Sequence, residues 1–259
     1  MRHALAYGSF FSAVGLLSTY MPVHLQRFGL TAATIGTLFG VRTAIATASQ
    51  LLLTPRLPPH RVGWALVLSA AWAAAFGLGV ALASDAVWLM ALILVIAPGQ
   101  ALAIPLLDTV VIDQLGADRF GAVRRWGSIG YGVTVGAVAW WAQGRSYAEV
   151  GRLAAMGFAV MLALTLVQMV FVARPSAGTA TQADGSTTGS VPRDPALVGF
   201  FLINGLHWIG GAQFNVFISL HAQRLGLDPS VPGAAIAAMI VGEVLAMSAV
   251  GRLLPHWGL

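Results

Sequence analysis

Eight apolar stretches follow one another along the chain, over residues 4–26, 32–54, 62–84, 87–112, 126–143, 152–173, 196–221 and 231–251. A helix of about 20 residues crosses a hydrocarbon core of about 30 Å. Backbone amides inside lipid have no water to bond, so for runs of this length the helix is the viable spanning element. Soluble domains do not carry eight such runs in series. The pattern predicts an all-α polytopic membrane protein.

The composition agrees. The chain is 58% hydrophobic and 9% charged, where a soluble domain carries about 25% charged residues. Its basic residues are all arginine and, Arg42 apart, they flank the apolar runs. The sequence pI of about 10.7 is therefore read as topology and headgroup contact rather than nucleic-acid binding. Cysteine is absent, which excludes disulfides, thiolate metal sites and cysteine nucleophiles. The first stretch holds Tyr7, Ser9, Ser12 and Ser18, is too long for the apolar part of a leader, and reads as a retained helix. Arg2, Arg56, Arg61, Arg119, Arg124, Arg125, Arg174, Arg193 and Arg252 fall on one side, against Arg27, Arg145, Arg152 and Arg224 on the other. The positive-inside rule then puts the N-terminus in the cytoplasm of a cell with an inner membrane.

After six stretches comes a run rich in Gly, Ser, Thr and Ala, with too little apolar surface to fold. Residues 174–195 are expected to be a cytoplasmic linker, between a six-helix bundle over 1–173 and the first two helices of a second bundle over 196–259. Across this linker the sequence repeats. His24-Leu25-Gln26-Arg27-Phe28-Gly29-Leu30 and His221-Ala222-Gln223-Arg224-Leu225-Gly226-Leu227 share five of seven positions, and Gly36 and Gly233 keep the same offset. Parallel six-helix repeats build one common transporter architecture.

At this point the sequence resembles the major facilitator superfamily. Within it, Phe120-Gly121-Ala122-Val123-Arg124-Arg125-Trp126-Gly127-Ser128-Ile129-Gly130-Tyr131 is similar to a stretch of the phenylpropionate-permease-like members. These are related to the nucleoside and oligosaccharide proton symporters. Pro105-Leu106-Leu107-Asp108 and Arg42 also resemble that group. Between the second and third stretches, Thr54-Pro55-Arg56-Leu57-Pro58-Pro59-His60-Arg61 lacks the aspartate of the family's acidic–basic motif. The family has twelve helices, so the resemblance implies a chain truncated after the eighth and possible partnership with the missing C-terminal helices.

The resemblance implies secondary active transport of a small organic solute, an aromatic acid, a nucleoside or a sugar, with proton-coupled symport. A nontransporting membrane remnant or scaffold is the alternative. Neither cofactor nor metal is expected, and no GxSxG, P-loop or HExxH pattern suggests an enzyme.

Polar residues inside the spans are the site candidates. Asn204, His207, Gly211 and Asn215 share one face of the seventh stretch, lining a cavity or bonding to a neighbouring helix. Arg42 and Glu243 lie at similar depth in stretches that the repeat makes equivalent. Arg42 has the planar fork that clamps a carboxylate, with Gln100 as a further cavity candidate. Glu243 or His207 is the candidate proton carrier, against a structural ion pair. Asp108 and Asp113 near a loop with Arg124 and Arg125 suggest a cytoplasmic charge latch. Pro98 and Pro105 are expected to weaken the fourth helix locally. Small residues every fourth position, Ser128, Gly132 and Gly136 on the fifth stretch and Ala234, Ala238, Gly242 and Ala246 on the eighth, mark a packing seam. The resemblance places that seam between the two halves.

Overall fold

The computed structural model describes residues 1–173 and 195–253; the side chains of Asn204, His207 and several neighbours are outside that description. The expected 174–195 linker lies almost wholly outside it as well. The described residues form α1 (Arg2–Thr19), α2 (Met21–Gln26), α3 (Ala32–Leu53), α4 (Val62–Leu82), α5 (Ala86–Leu115), α6 (Ala117–Ala142), α7 (Tyr147–Val172), α8 (Pro195–Arg224) and α9 (Ser230–Leu253), with short 3₁₀ turns between α3 and α4. This is an all-α polytopic membrane protein.

The helices α4, α5 and α7 are the most uniformly apolar and long enough to cross a membrane. At 21 residues, α4 is about 31 Å long. The remaining helices dilute their apolar residues with Gly, Ser, Thr and Arg. Outward-facing positions are large and apolar: Leu68, Leu78, Val133, Met156 and Val160 are exposed, which is the surface lipid requires. Trp64, Trp88 and Trp140 are exposed near helix ends, where interfacial tryptophans sit.

Three boundaries differ from the sequence expectation. The first span is two helices, broken at Tyr20 ahead of Pro22. Pro22 at the start of α2 needs no backbone donor, so a new helix begins there easily. The fifth span starts at Ala117, so Arg119, Arg124 and Arg125 are helical rather than in a loop. Hydropathy ended the span where the arginines began, but arginine is a good helix former. Finally, α5 runs unbroken through Pro98 and Pro105. The carbonyl that Pro105 deprives of its donor is that of Ala101, four residues earlier. The side chain of Gln50 on α3 supplies the bond at 2.7 Å.

Glycine sets how closely the helices approach. A Cβ on Gly130 of α6 would overlap the backbone of Gly8 on α1. Beside this crossing, Ser12 donates to the Gly130 carbonyl at 3.0 Å, Thr134 donates to Ser12 at 2.7 Å, and Ser18 and Tyr131 hydroxyls lie 2.7 Å apart. Gly99 of α5 approaches the Ser69 carbonyl of α4 in the same way. Small faces and side-chain hydrogen bonds are the standard means of helix association in lipid.

The turns separate onto two faces. Near the N-terminus, Arg2 reaches the Phe171 carbonyl, and Gln114 donates to Val172, joining the start of α1 to the ends of α5 and α7. At the opposite end, here called the far face, Gly144 donates to Asp228 at 3.0 Å and Tyr147 to the Leu227 carbonyl at 3.1 Å.

The internal repeat is visible at the far face. Gly29 and Gly226 both have positive φ, +79° and +70°, a backbone region that a Cβ disfavours and that commonly ends helices. Tyr20 and Phe217, equivalent in the repeat, make equivalent contacts. The Tyr20 hydroxyl sits over Gly233 of α9, and the Phe217 ring over Gly36 of α3. Gly36 and Gly233 are also repeat equivalents, so each copy places an aromatic on the other's glycine.

Gly130→Ala should destabilise the detergent-solubilised protein by about 1–3 kcal/mol, the cost of overpacking. Gly121→Ala, where a Cβ meets nothing within 4 Å, should not. Thermal unfolding followed by circular dichroism distinguishes the two.

Candidate functional site

Arg42 lies at the middle of α3, facing α5. Its Nη2 donates to Gln100 Oε1 at 2.6 Å. Gln100 is only 5% exposed. Fitting a guanidinium into a helical interior costs several kcal/mol unless it is paired or hydrated, and an amide oxygen neutralises none of its charge. The pair also leaves donors over: Arg42 Nε and Gln100 Nε2 are buried with no hydrogen-bond partner. Two adjacent helices therefore present N–H groups with no protein acceptor. Such a group costs about 1–3 kcal/mol while unmade, and an oxygen atom of a guest would relieve it.

A second site joins α1, α5 and α6. Tyr7 donates to Asp108 Oδ1 at 2.5 Å, Arg124 Nε lies 3.5 Å from the same oxygen, and the guanidinium stacks over Phe11 at 4.5 Å and Tyr7 at 5.2 Å. This is the only ion pair found among the described residues. Asp108 and Arg124 are thus brought together as the sequence suggested, while Asp113 and Arg125 do not join them. Asp113 is exposed, and Arg125 donates to the Ala122 carbonyl of its own helix. Because α6 begins early, Arg124 and Arg125 are adjacent helical residues on different faces, and one of them alone can look inward. Tyr7 was missed as a partner. Its signal was a polar aromatic on the face of α1 that also carries Ala6, Phe10 and Ala13, all buried.

The seam between α6 and α9 exists, with one side redrawn. A Cβ on Gly132 would press on Ile240, and one on Gly136 would meet Ala237 at 3.4 Å. Ser128 donates to Glu243 at 3.4 Å. On α9, however, Gly233, Ile236, Ala237 and Ile240 face α6, whereas Ala234, Ala238, Gly242 and Ala246 are exposed. Gly132 of α6 receives Ile240, Gly136 meets Ala237, and Gly233 of α9 lies against Val135 and Ala139, so the small residues that make the seam come from both helices. Glu243 borders the seam and is exposed, one turn beyond the residue equivalent to Arg42.

Asn215 is half-buried, and its Oδ1 has no partner. The side chains of Asn204 and His207 lie outside the described residues. His24 of α2, 4% exposed against Gly151 of α7, has no partner at either ring nitrogen. A cleft of about 350 Å³ at the far face is lined by Ala32, Ala33, Phe217, Leu220, His221 and Arg224, remote from Arg42.

Helices that cross repeatedly, pack through glycine and hold unpaired polar atoms inside define a polytopic helical membrane protein. The chain belongs to the MFS_1 like family, whose model matches residues 1–259, and so to the major facilitator superfamily. It is 27% identical over 260 residues to "Maltose permease" of Geobacillus stearothermophilus, an alignment covering 98% of this chain and 65% of that relative. No solved structure matches the chain.

Asp228 gives this region a pH signature. Ser230 and Gly144 hydrogen-bond its carboxylate, holding its pKa below the ordinary 3.8. A lowered acid pKa stabilises the far-face tie above the ordinary value, and that stabilisation is lost as pH falls through the folded value. Asp228→Ala should therefore speed hydrogen exchange at the Gly144 amide at neutral pH, and the wild-type protein should approach the variant's behaviour on acidification below 3.8.

Proposed function

We propose that this chain carries the first half, and the start of the second half, of a secondary active transporter. It moves a small oxygen-rich organic solute across an inner membrane by alternating access, with its N-terminus and the 174–195 linker in the cytoplasm. The observation that carries this reading is the pair of unpartnered donors on Arg42 and Gln100. Donors without acceptors suit a solute bearing carboxylate, hydroxyl or ring oxygens, the chemistry shared by aromatic acids, nucleosides and sugars. Membership of the superfamily supports transport, and the relative named as a maltose permease supports the sugar class.

Arg42 orients the solute through its planar fork, and Gln100 fixes that fork. In this reading Asn204, His207 and Asn215 complete the cavity. Symport with a proton uses Glu243 or His207 in this reading. The Asp108–Arg124 pair latches the cytoplasmic end of α5 to α6, so its breakage accompanies reorientation. Ser128, Gly132 and Gly136 form the surface on which α9 moves.

Uptake of radiolabelled maltose, 3-phenylpropionate and a nucleoside into vesicles bearing an inward proton gradient tests the reading. One class should accumulate. Arg42→Lys should raise the half-saturating concentration about tenfold, the loss of a charge-assisted hydrogen bond of about 1.5 kcal/mol. Glu243→Gln or His207→Ala should abolish accumulation while sparing exchange. Wild-type uptake in every variant would refute the assignment.

A further inference from the structure

The far-face cleft of about 350 Å³ has the start of α3 as one wall and the end of α8 as the other. Ala32 and Ala33 line the first, and Phe217, Leu220, His221 and Arg224 line the second. Its volume lies within the range of about 300–1,000 Å³ usual for small-molecule sites. Its chemistry is one-sided: Phe217 and Leu220 are apolar, His221 and Arg224 bring nitrogen donors, and none of the six is acidic. Arg224 is exposed and carries its charge without an ion pair among the described residues. The nearest acid along the chain, Asp228, is bonded to Gly144 and Ser230 instead.

Arg224 has no task at its own helix end. Basic side chains in a last turn commonly serve the carbonyls left over there. In α8 the backbone does so, because Leu225, Leu227 and Gly226 donate to the carbonyls of His221, Ala222 and Gln223 at 3.0–3.1 Å. The opposite wall adds donors of its own. The first amides of a helix have no partner within it. At the start of α3 the Thr31 side chain accepts from Thr34, which leaves the amides of Ala32 and Ala33 without a capping acceptor among the described residues. The positive end of a 22-residue helix thus meets a guanidinium across the cleft. Two walls of like sign repel, and an anion between them turns the repulsion into attraction on both sides.

We propose that this cleft binds a small soluble organic anion, one carboxylate on an apolar body about the size of a single ring. The carboxylate takes the Arg224 fork, the His221 ring and the first amides of α3, while the body lies on Phe217 and Leu220. A phospholipid headgroup shares the charge, but its paired acyl chains do not fit this space. Because the Phe217 ring also covers Gly36, an occupied cleft ties the start of α3 to the end of α8. The site is separate from Arg42 and does not depend on the transport reading.

Equilibrium dialysis of radiolabelled 3-phenylpropionate against the detergent-solubilised chain tests this, with Arg42→Gln as the background so that the inner site does not contribute. Binding should be saturable. Arg224→Gln, a change at an exposed position, should weaken it about tenfold, the loss of one charge-assisted hydrogen bond. Ala33→Phe, which fills the cleft from another exposed position, should abolish it. The neutral 3-phenylpropionamide should bind at least tenfold more weakly than the acid. Hydrogen exchange at the Ala32 and Ala33 amides should slow when the acid is bound. Absence of saturable binding, or binding equal in Arg224→Gln and Ala33→Phe, would overturn the proposal. So would an amide that binds as well as the acid. Displacement of the acid by lower concentrations of a short-chain phosphatidylglycerol would make this a lipid site and overturn the assignment to a soluble anion. Each result is independent of whether the chain transports anything.

Discussion

A polar group inside hydrocarbon must find its partner within the protein, and the close helix crossings of this bundle exist to make that possible. Gly8 and Gly130 let α1 and α6 meet backbone to backbone, close enough for Ser12 to reach the Gly130 carbonyl and for Thr134 to reach Ser12. The same requirement explains why Pro105 is tolerated in α5: the Ala101 carbonyl that it strands is adopted by Gln50. Where partners are complete, as at Asp108, Tyr7 and Arg124, the helices are pinned. Where they are incomplete, as at Arg42, Gln100 and Ser219, the protein has kept polar capacity at a cost in stability.

The repeat gives these sites a common frame. Tyr20 reaches Gly233 and Phe217 reaches Gly36, so the two copies grip each other by the same aromatic-on-glycine contact used twice. Such reciprocity is how a pseudo-two-fold axis appears at the level of side chains, since each surface patch is both donor and acceptor of the contact. The contact lies at the far face, with Asp228 and Tyr147 bridging the α6–α7 and α8–α9 turns beside it.

Much of this was legible in the sequence because hydropathy and glycine punctuation report directly on a lipid environment. The spans, the Gly29 and Gly226 turns and the meeting of Asp108 with Arg124 all follow from residue type and spacing. What was illegible depended on rotation about helix axes. Whether Arg124 or Arg125 points inward, and whether Ala238 or Ala237 faces α6, differ by a single residue step, and in an evenly apolar helix no moment distinguishes the faces. Gln50 was hidden for another reason: its role exists only because Pro105 on a different helix leaves a carbonyl unpaired. Arg42 was found as a buried charge, but that it shares Gln100 and keeps a free Nε needed coordinates.

The account turns on the second copy docking against the first through equivalent residues. A short bis-thiosulfonate spacer applied to the cysteine-free chain carrying Gly36→Cys with Phe217→Cys, or Tyr20→Cys with Gly233→Cys, measures that docking. Both pairs should cross-link within one chain at comparable rates. Cross-linking of neither reciprocal pair, or of only one, would contradict a symmetric grip between the copies.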